Sequence, residues 1–381
     1  MPNVLKKVNF KKNCMMRFLT FLLVFNSVLL SAKSYSQEVK GNVDKDTACV
    51  MVHLYSSAFF DNKEFTSNIK KGYTYPGFFF QPRLFYKPSS KTYFSVGFHS
   101  LYFAGADSLD IIVPVLTFKY SITDKIDFLV GSIDSRQRHF LPEPIYKPER
   151  LFISYPETGL QFLASSEKFK GDLWINWERY IKNKSPFQEQ FTIGFSNVYS
   201  IQPLDELKGF YFPLHLLATH QGGQIDTTKL PVTSLVNIAG GIGYGFLINE
   251  KLTLGVESLF LMYKDISPKP HYTYKSGNAI YPKIFLKGNF FRLDLGYWQS
   301  SAFVNPRGEE LFGSISTVDT TFNQKDRNLV TANFMYSKVV AKGFTVELRL
   351  DVYNDVKSST FDYSYTFRMI FDDRLFFPKL K

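Results

Sequence analysis

The sequence predicts an all-β chain that folds as an up-and-down transmembrane antiparallel β-barrel of about 16 strands. Three observations predict this fold class. Apolar and polar residues alternate in segment after segment, and the connections between segments alternate between short and long. Aromatic residues make up 17% of the 381 residues, with 40 Phe and 23 Tyr, which are side chains that favour strands. The sequence after residue 37 contains no apolar run of the length typical of a membrane helix.

The N-terminus has the order of a secretory signal peptide. Lysines and Arg17 precede the apolar run 18–30, and small residues ending at Ser36 follow it. The apolar run is interrupted by Asn26 and Ser27 and is shorter than the ~20 residues of a spanning helix. We therefore predict a signal peptide over residues 1–36 and a single barrel domain over residues 37–381.

Charge and cysteine content exclude several function classes. The formal charge of +11 includes six positive residues of the leader, which has no acidic residue, so +5 remains for residues 37–381. No polybasic block remains there, and we expect no nucleic-acid partner. Cys49 is the only cysteine after the leader, so the sequence predicts neither an internal disulfide nor a cysteine-based metal site. No motif indicates a cofactor.

Each predicted strand alternates apolar with polar or small residues, because successive side chains of a strand point to opposite faces. The last hairpin alternates strictly: Phe344 to Val352 and Phe361 to Phe371 each have one apolar face and one charged face. The predicted strands lie near residues 50–55, 78–86, 94–99, 112–120, 126–130, 160–162, 173–178, 190–196, 210–216, 236–246, 252–262, 280–286, 291–297, 330–336, 344–352 and 361–371.

The connections favour a barrel over a soluble sandwich. Connections after even-numbered strands are mostly short, and those after odd-numbered strands are mostly long, with exceptions at 105–108 and 202–208. Outer-membrane barrels have short periplasmic turns and longer extracellular loops, and closure satisfies every backbone group within the ring. The apolar faces would then contact lipid.

Leader, alternation, sorted loops and an aromatic final strand together resemble the porin-like bacterial outer-membrane β-barrel family. The resemblance implies an outer-membrane location, a lipid bilayer around the barrel and insertion by the barrel-assembly machinery. It leaves open whether the protein forms a homotrimer and which small solute would pass through it. One departure is that Pro378 to Lys381 follow the terminal aromatic residues, so either the last strand ends near Phe371 with a short tail, or the C-terminal signal for the assembly machinery is shifted.

Charged residues of the inner parity are the candidate functional residues. In a water-filled lumen they could form a generic polar wall or a selectivity ring. The predicted pore-lining residues are Arg83, Asp172, Glu178, Lys283, Arg292, Asp294, Glu347, Arg349, Asp351 and Arg368. The proline-rich loop 134–156 could fold into the pore or stay on the surface, and its constriction candidates are Arg136, Arg138, His139 and Glu143.

The sequence favours a channel for passive passage of small hydrophilic solutes and predicts no enzymatic activity. The first alternative is a closed barrel whose surface loops bind a partner, as in an adhesin. The second is an outer-membrane hydrolase, in which the rim residues His139 or His220 would be required for activity. No nucleophile motif supports the hydrolase at this level.

Overall fold

A computed structural model describes residues 49–204, 208–319 and 321–377, and sixteen β-strands of this part of the chain form one closed barrel. The predicted signal peptide, residues 1–36, lies outside the described residues. The strands are β1 (Cys49–Glu64), β2 (Tyr73–Ser89), β3 (Thr92–Phe103), β4 (Ile111–Thr123), β5 (Ile126–Ser132), β6 (Thr158–Ser165), β7 (Phe169–Arg179), β8 (Glu189–Ser200), β9 (Gly209–Gly222), β10 (Thr233–Asn249), β11 (Leu252–Asp265), β12 (Ser276–Lys287), β13 (Phe291–Ser301), β14 (Asp326–Ala341), β15 (Phe344–Asp355) and β16 (Thr360–Phe377).

The ring closes between the first and last strands. Each strand pairs antiparallel with the next, and β1 pairs antiparallel with β16 from Val50 opposite Phe377 to Glu64 opposite Tyr363. A closed ring has no free sheet edge, so the backbone groups of the strands are satisfied without water. The predicted all-β antiparallel barrel is confirmed.

The final strand extends beyond its predicted end. Alternation was expected to stop near Phe371, whereas β16 continues in register to Phe377. The reason is that β1 begins at Cys49, and its residues from Val50 onward pair with residues 372–377 of β16. Asp372 hydrogen-bonds to His53 of β1 over 2.6 Å. The pairing of β16 with β1 therefore continues beyond Phe371 through a polar contact between side chains.

The two faces of the wall differ in polarity. Leu350, Phe361 and Met369 are among many large apolar side chains exposed on the outer surface, whereas Asp351 and Asp362 are buried inside. An outward apolar band surrounding a polar interior is the arrangement of a barrel in lipid. Among the described residues, no helix has the length and apolarity required to cross a membrane.

Two long connections fold back into the barrel. We call residues 133–157, between β5 and β6, and residues 302–325, between β13 and β14, the plug. Its only helical segments within the described residues are the turns Arg138–Phe140, Arg150–Ile153 and Glu310–Phe312. The two halves pair with each other: Lys147 N–H donates to the Arg307 carbonyl over 2.9 Å, and Glu309 N–H donates to the Glu143 carbonyl over 3.0 Å.

The apolar core lies where the plug meets the wall. Ile145 and Phe312 of the plug are fully buried and belong to one cluster with Trp174 and Trp298 of the wall. These apolar side chains are buried because folded loops fill the wide barrel. In a water-filled lumen they would be exposed to solvent. The plug therefore determines which of the predicted lumen residues still face open space.

Candidate functional site

His139 anchors the plug to the wall and faces no open water. Its side chain is 1% exposed and lies parallel to Trp174, with ring centroids 3.8 Å apart. Its Nδ1 is 2.8 Å from Asp172 of β7, and its Nε2 is 3.2 Å from Glu157. Burial alone would lower the pKa of His139, but the two carboxylates outweigh burial and raise it to about 9. A charged imidazole therefore holds the plug at neutral pH.

The backbone around His139 is held in an unfavourable conformation. Arg138, His139 and Phe140 have φ values of 53°, 51° and 57°, in the left-handed region that L-residues avoid. The His139 carbonyl accepts the hydroxyl proton of Ser196 in β8, which fixes the turn against the wall. Burial and the nearby Arg349 lower the pKa of Arg138 to about 10. Packing of the plug thus overrides local preference.

Glu143 is the centre of a second attachment. It accepts hydrogen bonds from the Tyr353 hydroxyl, from Arg349 over 2.9 Å and from Asn333 over 3.3 Å. Arg349 also donates to Asp351 over 2.7 Å. Three of the residues predicted from sequence for the wall and the loop are therefore joined in one network.

A lysine-centred cluster closes the extracellular end of the plug. Lys70, from the connection between β1 and β2, contacts Glu309 at 2.8 Å and Glu310 at 2.6 Å. Burial raises the pKa of Glu309 to about 7. Burial also acts to raise the pKa of Glu149, but Lys70 and Lys147 outweigh it and lower that pKa to about 2. Separating such a buried ion pair would leave an uncompensated buried charge, so these contacts resist opening of the plug.

Seven of the sequence-predicted residues share one charged cavity of about 310 Å³ below the plug. A larger cavity of about 880 Å³ shares Phe140, Glu257 and Arg292 with it and extends to the short turn between β6 and β7. The predicted residues that line the charged cavity are Arg138, Glu143, Lys283, Arg292, Asp294, Arg349 and Asp351.

The other predicted residues also lie on the inner face, in three settings. Glu347 pairs with Arg368 at 2.9 Å on the wall. Arg83 lines a separate polar cavity, as does Arg136 of the loop. The remaining predicted residues, Asp172 and Glu178, differ from the expectation because they contact the plug.

Asp172 and Glu178 serve as attachment points on the wall. Asp172 is 2% exposed and binds His139, whereas Glu178 accepts from Arg150 and Arg307 of the two plug halves over 3.1 and 2.6 Å. Sequence alone placed both carboxylates in an open lumen, since it does not show that loops occupy that space.

A different constellation lies on the outer, lipid-facing surface. His220 of β9 and Ser234 of β10 are direct cross-strand partners, and the histidine Nδ1 is 2.9 Å from the serine hydroxyl oxygen. His220 shares its parity with the exposed Phe212 and Leu214, so both side chains of the pair point outward. His220 lies two residues from the end of β9 and Ser234 lies one residue from the start of β10, both on the side of the long loops, which is the extracellular side.

An aromatic row supports this pair. Phe191 of β8 stacks on the His220 ring with centroids 4.7 Å apart, and Trp177 of β7 packs on Phe191 at 5.2 Å. The four residues from Trp177 to Ser234 are successive cross-strand neighbours. Trp177 also donates its indole N–H to Glu189 over 3.1 Å. The row holds the imidazole in a fixed orientation at the rim.

Gly222 lies beside the other imidazole nitrogen, Nε2. A Cβ at this position would lie 3.1 Å from His220 Nε2, and the cross-strand partner of Gly222 is Glu189. A neutral histidine with its proton on Nε2 can accept the Ser234 hydroxyl proton at Nδ1. A serine hydroxyl beside such a base is the arrangement of an activated nucleophile.

Sequence reasoning identified His220 as a rim residue but missed Ser234 and Glu189. It assigned residues 221–233 to a loop and started the next strand at 236, whereas β9 ends at Gly222 and β10 starts at Thr233. Extending the alternation by two residues would have placed both side chains on the outer parity. No group of three or more His, Cys, Asp or Glu side chains suited to a metal occurs within the described ranges.

The closed ring of sixteen antiparallel strands with an apolar outer face places the chain among the transmembrane β-barrel proteins of the outer-membrane type. The barrel resembles the crystal structure of OccAB3 of Acinetobacter baumannii, with a TM-score of 0.51 and 10% identity over 86% of this chain and 99% of that chain. It also resembles a loop L8 deletion mutant of OmpT, an outer-membrane protein of Vibrio cholerae, with a TM-score of 0.50 and 11% identity over 86% and 100%. At these identities the likeness concerns the fold alone. Comparison with curated proteins finds no match.

Within that class, the chain belongs to the lipid A 3'-O-deacylase-type family, whose model matches residues 43–380. The prediction that the protein is not an enzyme is therefore wrong. The polar composition of the inner wall pointed to transport, and the alternation pattern predicts only lipid contact for the outer wall, so neither pattern indicates an enzyme.

Proposed function

We propose that this protein hydrolyses an ester-linked acyl chain of a lipid A-type glycolipid in the outer leaflet of the outer membrane. The family description supplies the reaction and the substrate class. The observation that carries the proposal is the outward His220–Ser234 pair at 2.9 Å. Its depth fits the substrate: a position one to two residues from a tilted strand end lies within about 5 Å of the rim. Ester groups lie at this boundary between headgroups and hydrocarbon.

The chemistry assigned to the pair is acyl transfer to serine. Ser234 Oγ attacks the ester carbonyl carbon while its proton moves to His220 Nδ1. The tetrahedral intermediate then expels the sugar oxygen, which takes that proton, and leaves an acyl-serine. Water, deprotonated by the same nitrogen, hydrolyses the acyl-serine and releases the fatty acid. The exposed apolar wall beside the pair would hold the acyl chain.

The test is acyl release from purified lipid A by the folded protein in detergent, followed by mass spectrometry. We expect Ser234→Ala and His220→Gln each to lower the rate about 10³-fold or more, since either change removes a reacting group. Ser258→Ala is the matched control, because Ser258 is also an outward serine, on β11, but far from the rim. Deacylation that persists at the full rate in folded Ser234→Ala would exclude this site.

Passive passage of small hydrophilic solutes is a second candidate function. The observation that favours it is the charged cavity below the plug and its larger extension toward the periplasmic turns. The Glu143 and Lys70 networks oppose it, because they hold the plug across the route. The two functions are compatible, since one uses the outer wall and the other the lumen.

A further inference from the structure

A polar cavity of about 280 Å³ lies inside the barrel beneath residues 133–136, at the end of the short turns. Its wall is formed by strands β1 to β5 and β16, and Lys87, Lys91 and Arg374 lie near the periplasmic rim. This cavity belongs neither to the outer-wall pair nor to the charged cavity below Glu143. It is open to one side of the membrane and closed above by the plug.

The charge of the cavity is strongly positive. One carboxylate lines it, Asp134, and two more, Asp127 and Asp372, pair with lining residues. Six lysines and arginines against these three carboxylates leave an excess of three positive charges. The six are Arg83, Lys87, Lys91, Lys119, Arg136 and Arg374.

Several donors in the cavity have no anionic partner. Lys119 pairs with Asp127 at 2.6 Å, and Arg136 pairs with Asp134 at 3.0 Å. By contrast, Arg83 contacts only neutral groups: the Tyr155 hydroxyl at 3.5 Å and the side-chain amide of Gln81. Within the described ranges no carboxylate lies within 4.0 Å of the charged nitrogens of Lys87, Lys91 or Arg374.

A buried histidine supplies a second, independent observation. His53 lines the cavity and is 5% exposed, and its Nε2 contacts Asp372 at 2.6 Å. Its Nδ1 is buried and has no hydrogen-bond partner in the described part of the chain. A buried polar atom without a partner is costly, and a ligand oxygen or hydroxyl at this position would remove that cost.

We infer that this cavity is a binding site for a small organic anion that carries a phosphate or carboxylate group and enters from the periplasm. Guanidinium and ammonium donors match the oxygens of both groups through charge-assisted hydrogen bonds. Tyr55, Phe85 and Tyr93 provide apolar surface for the rest of the ligand. The inference is independent of the proposed hydrolase, because the two sites lie on opposite faces of the wall.

The test is isothermal titration of the folded, detergent-solubilised protein at low ionic strength with inorganic phosphate and, separately, with citrate. We expect exothermic binding of at least one probe, and the preferred probe identifies the anionic group. Arg83→Gln combined with Arg374→Gln should weaken binding about tenfold or more, because each loses a charge-assisted contact. Heat-modifiable gel migration verifies that each variant is folded.

Lys342→Gln is the matched control, since it removes one positive charge from an exposed short turn outside the cavity. Binding that is retained in Lys342→Gln but lost in the arginine variant supports the site. Absence of binding of both probes to the folded wild-type protein would overturn it. Equal loss in Lys342→Gln and the arginine variant would also overturn it, because that result would reflect the general charge of the molecule.

Discussion

Two histidines that looked alike in the sequence have opposite environments. His139 is enclosed by Asp172, Glu157 and Trp174, whereas His220 is on the outer wall with one ring nitrogen against a serine hydroxyl. The first contributes charge to an anchor, and the second has the accessibility that a general base requires. A residue's chemistry here depends on which face of the wall it occupies.

The His139 anchor should respond to pH. Its pKa is raised from 6.5 to about 9, so the stabilisation is fully present below pH 6.5 and is lost as pH rises through about 9. Because protonated His139 stacks on Trp174, we expect a fluorescence change of that tryptophan with a midpoint near 9. His139→Gln should abolish the transition, and a transition that survives in this variant would contradict the assignment.

Among the elements, the β15–β16 hairpin shows how alternating apolar and polar residues form a barrel wall with one lipid-facing side and one inner side. Leu348 pairs with Phe367 of β16 and Tyr336 of β14 on the outer face, and Thr345 belongs to the inner parity. The plug is the contrasting element. Its proline-rich sequence has no period, and contacts with distant strands such as that of Glu143 with Arg349 determine its shape.

Leu348→Arg should impair assembly of the barrel, whereas Thr345→Arg should be tolerated. An arginine in the lipid-facing band costs about 2–4 kcal/mol near the bilayer centre, but an inner-face arginine reaches water near the periplasmic end. The measurement is the fraction of heat-modifiable protein in outer-membrane preparations. Equal assembly of the two variants would mean that the parity of β15 is assigned incorrectly.

At the scale of the whole molecule, the barrel is a ring whose lumen is largely filled by its own loops. Sixteen strands enclose more space than wall side chains can fill, and the plug occupies its extracellular half. Glu178 and Asp172 tie the plug to the wall, and Lys70 ties it to the connection between β1 and β2. A filled lumen hinders rapid diffusion of solutes through the centre.

Removing part of the plug should therefore open the lumen. We expect small conductance for the wild-type protein in planar bilayers and a several-fold increase when residues 306–322 are replaced by a short glycine-serine linker. Shortening the loop between β9 and β10 is the control, because residues 223–232 do not belong to the plug. Large conductance steps in the wild-type protein would show that the plug does not close the route and would favour passage as the main function.

The predictability of the molecule differs between wall and site. All sixteen strands were located from alternation, because the two-residue period of a strand is local and the bilayer enforces it along the whole chain. Strand ends were less well placed, as β16 and the β9–β10 boundary show, since pairing partners decide where a strand stops. Ser234 was missed because the start of β10 was placed too late. Asp172 was assigned to open water because the alternation of residues along a strand does not show that loops fill the lumen.

The barrel can be read from the sequence: its strand number, its inner and outer parity, its closure and its outer-membrane location. These features follow from local periodicity and from the rule that a membrane leaves no backbone group unpaired. Only the tertiary structure decided that the loop 133–157 lies in the lumen, that His139 is an anchor, and that His220 meets Ser234. Those outcomes depend on contacts between residues far apart in the chain, and register across neighbouring strands brings His220 and Ser234 to one point of the rim.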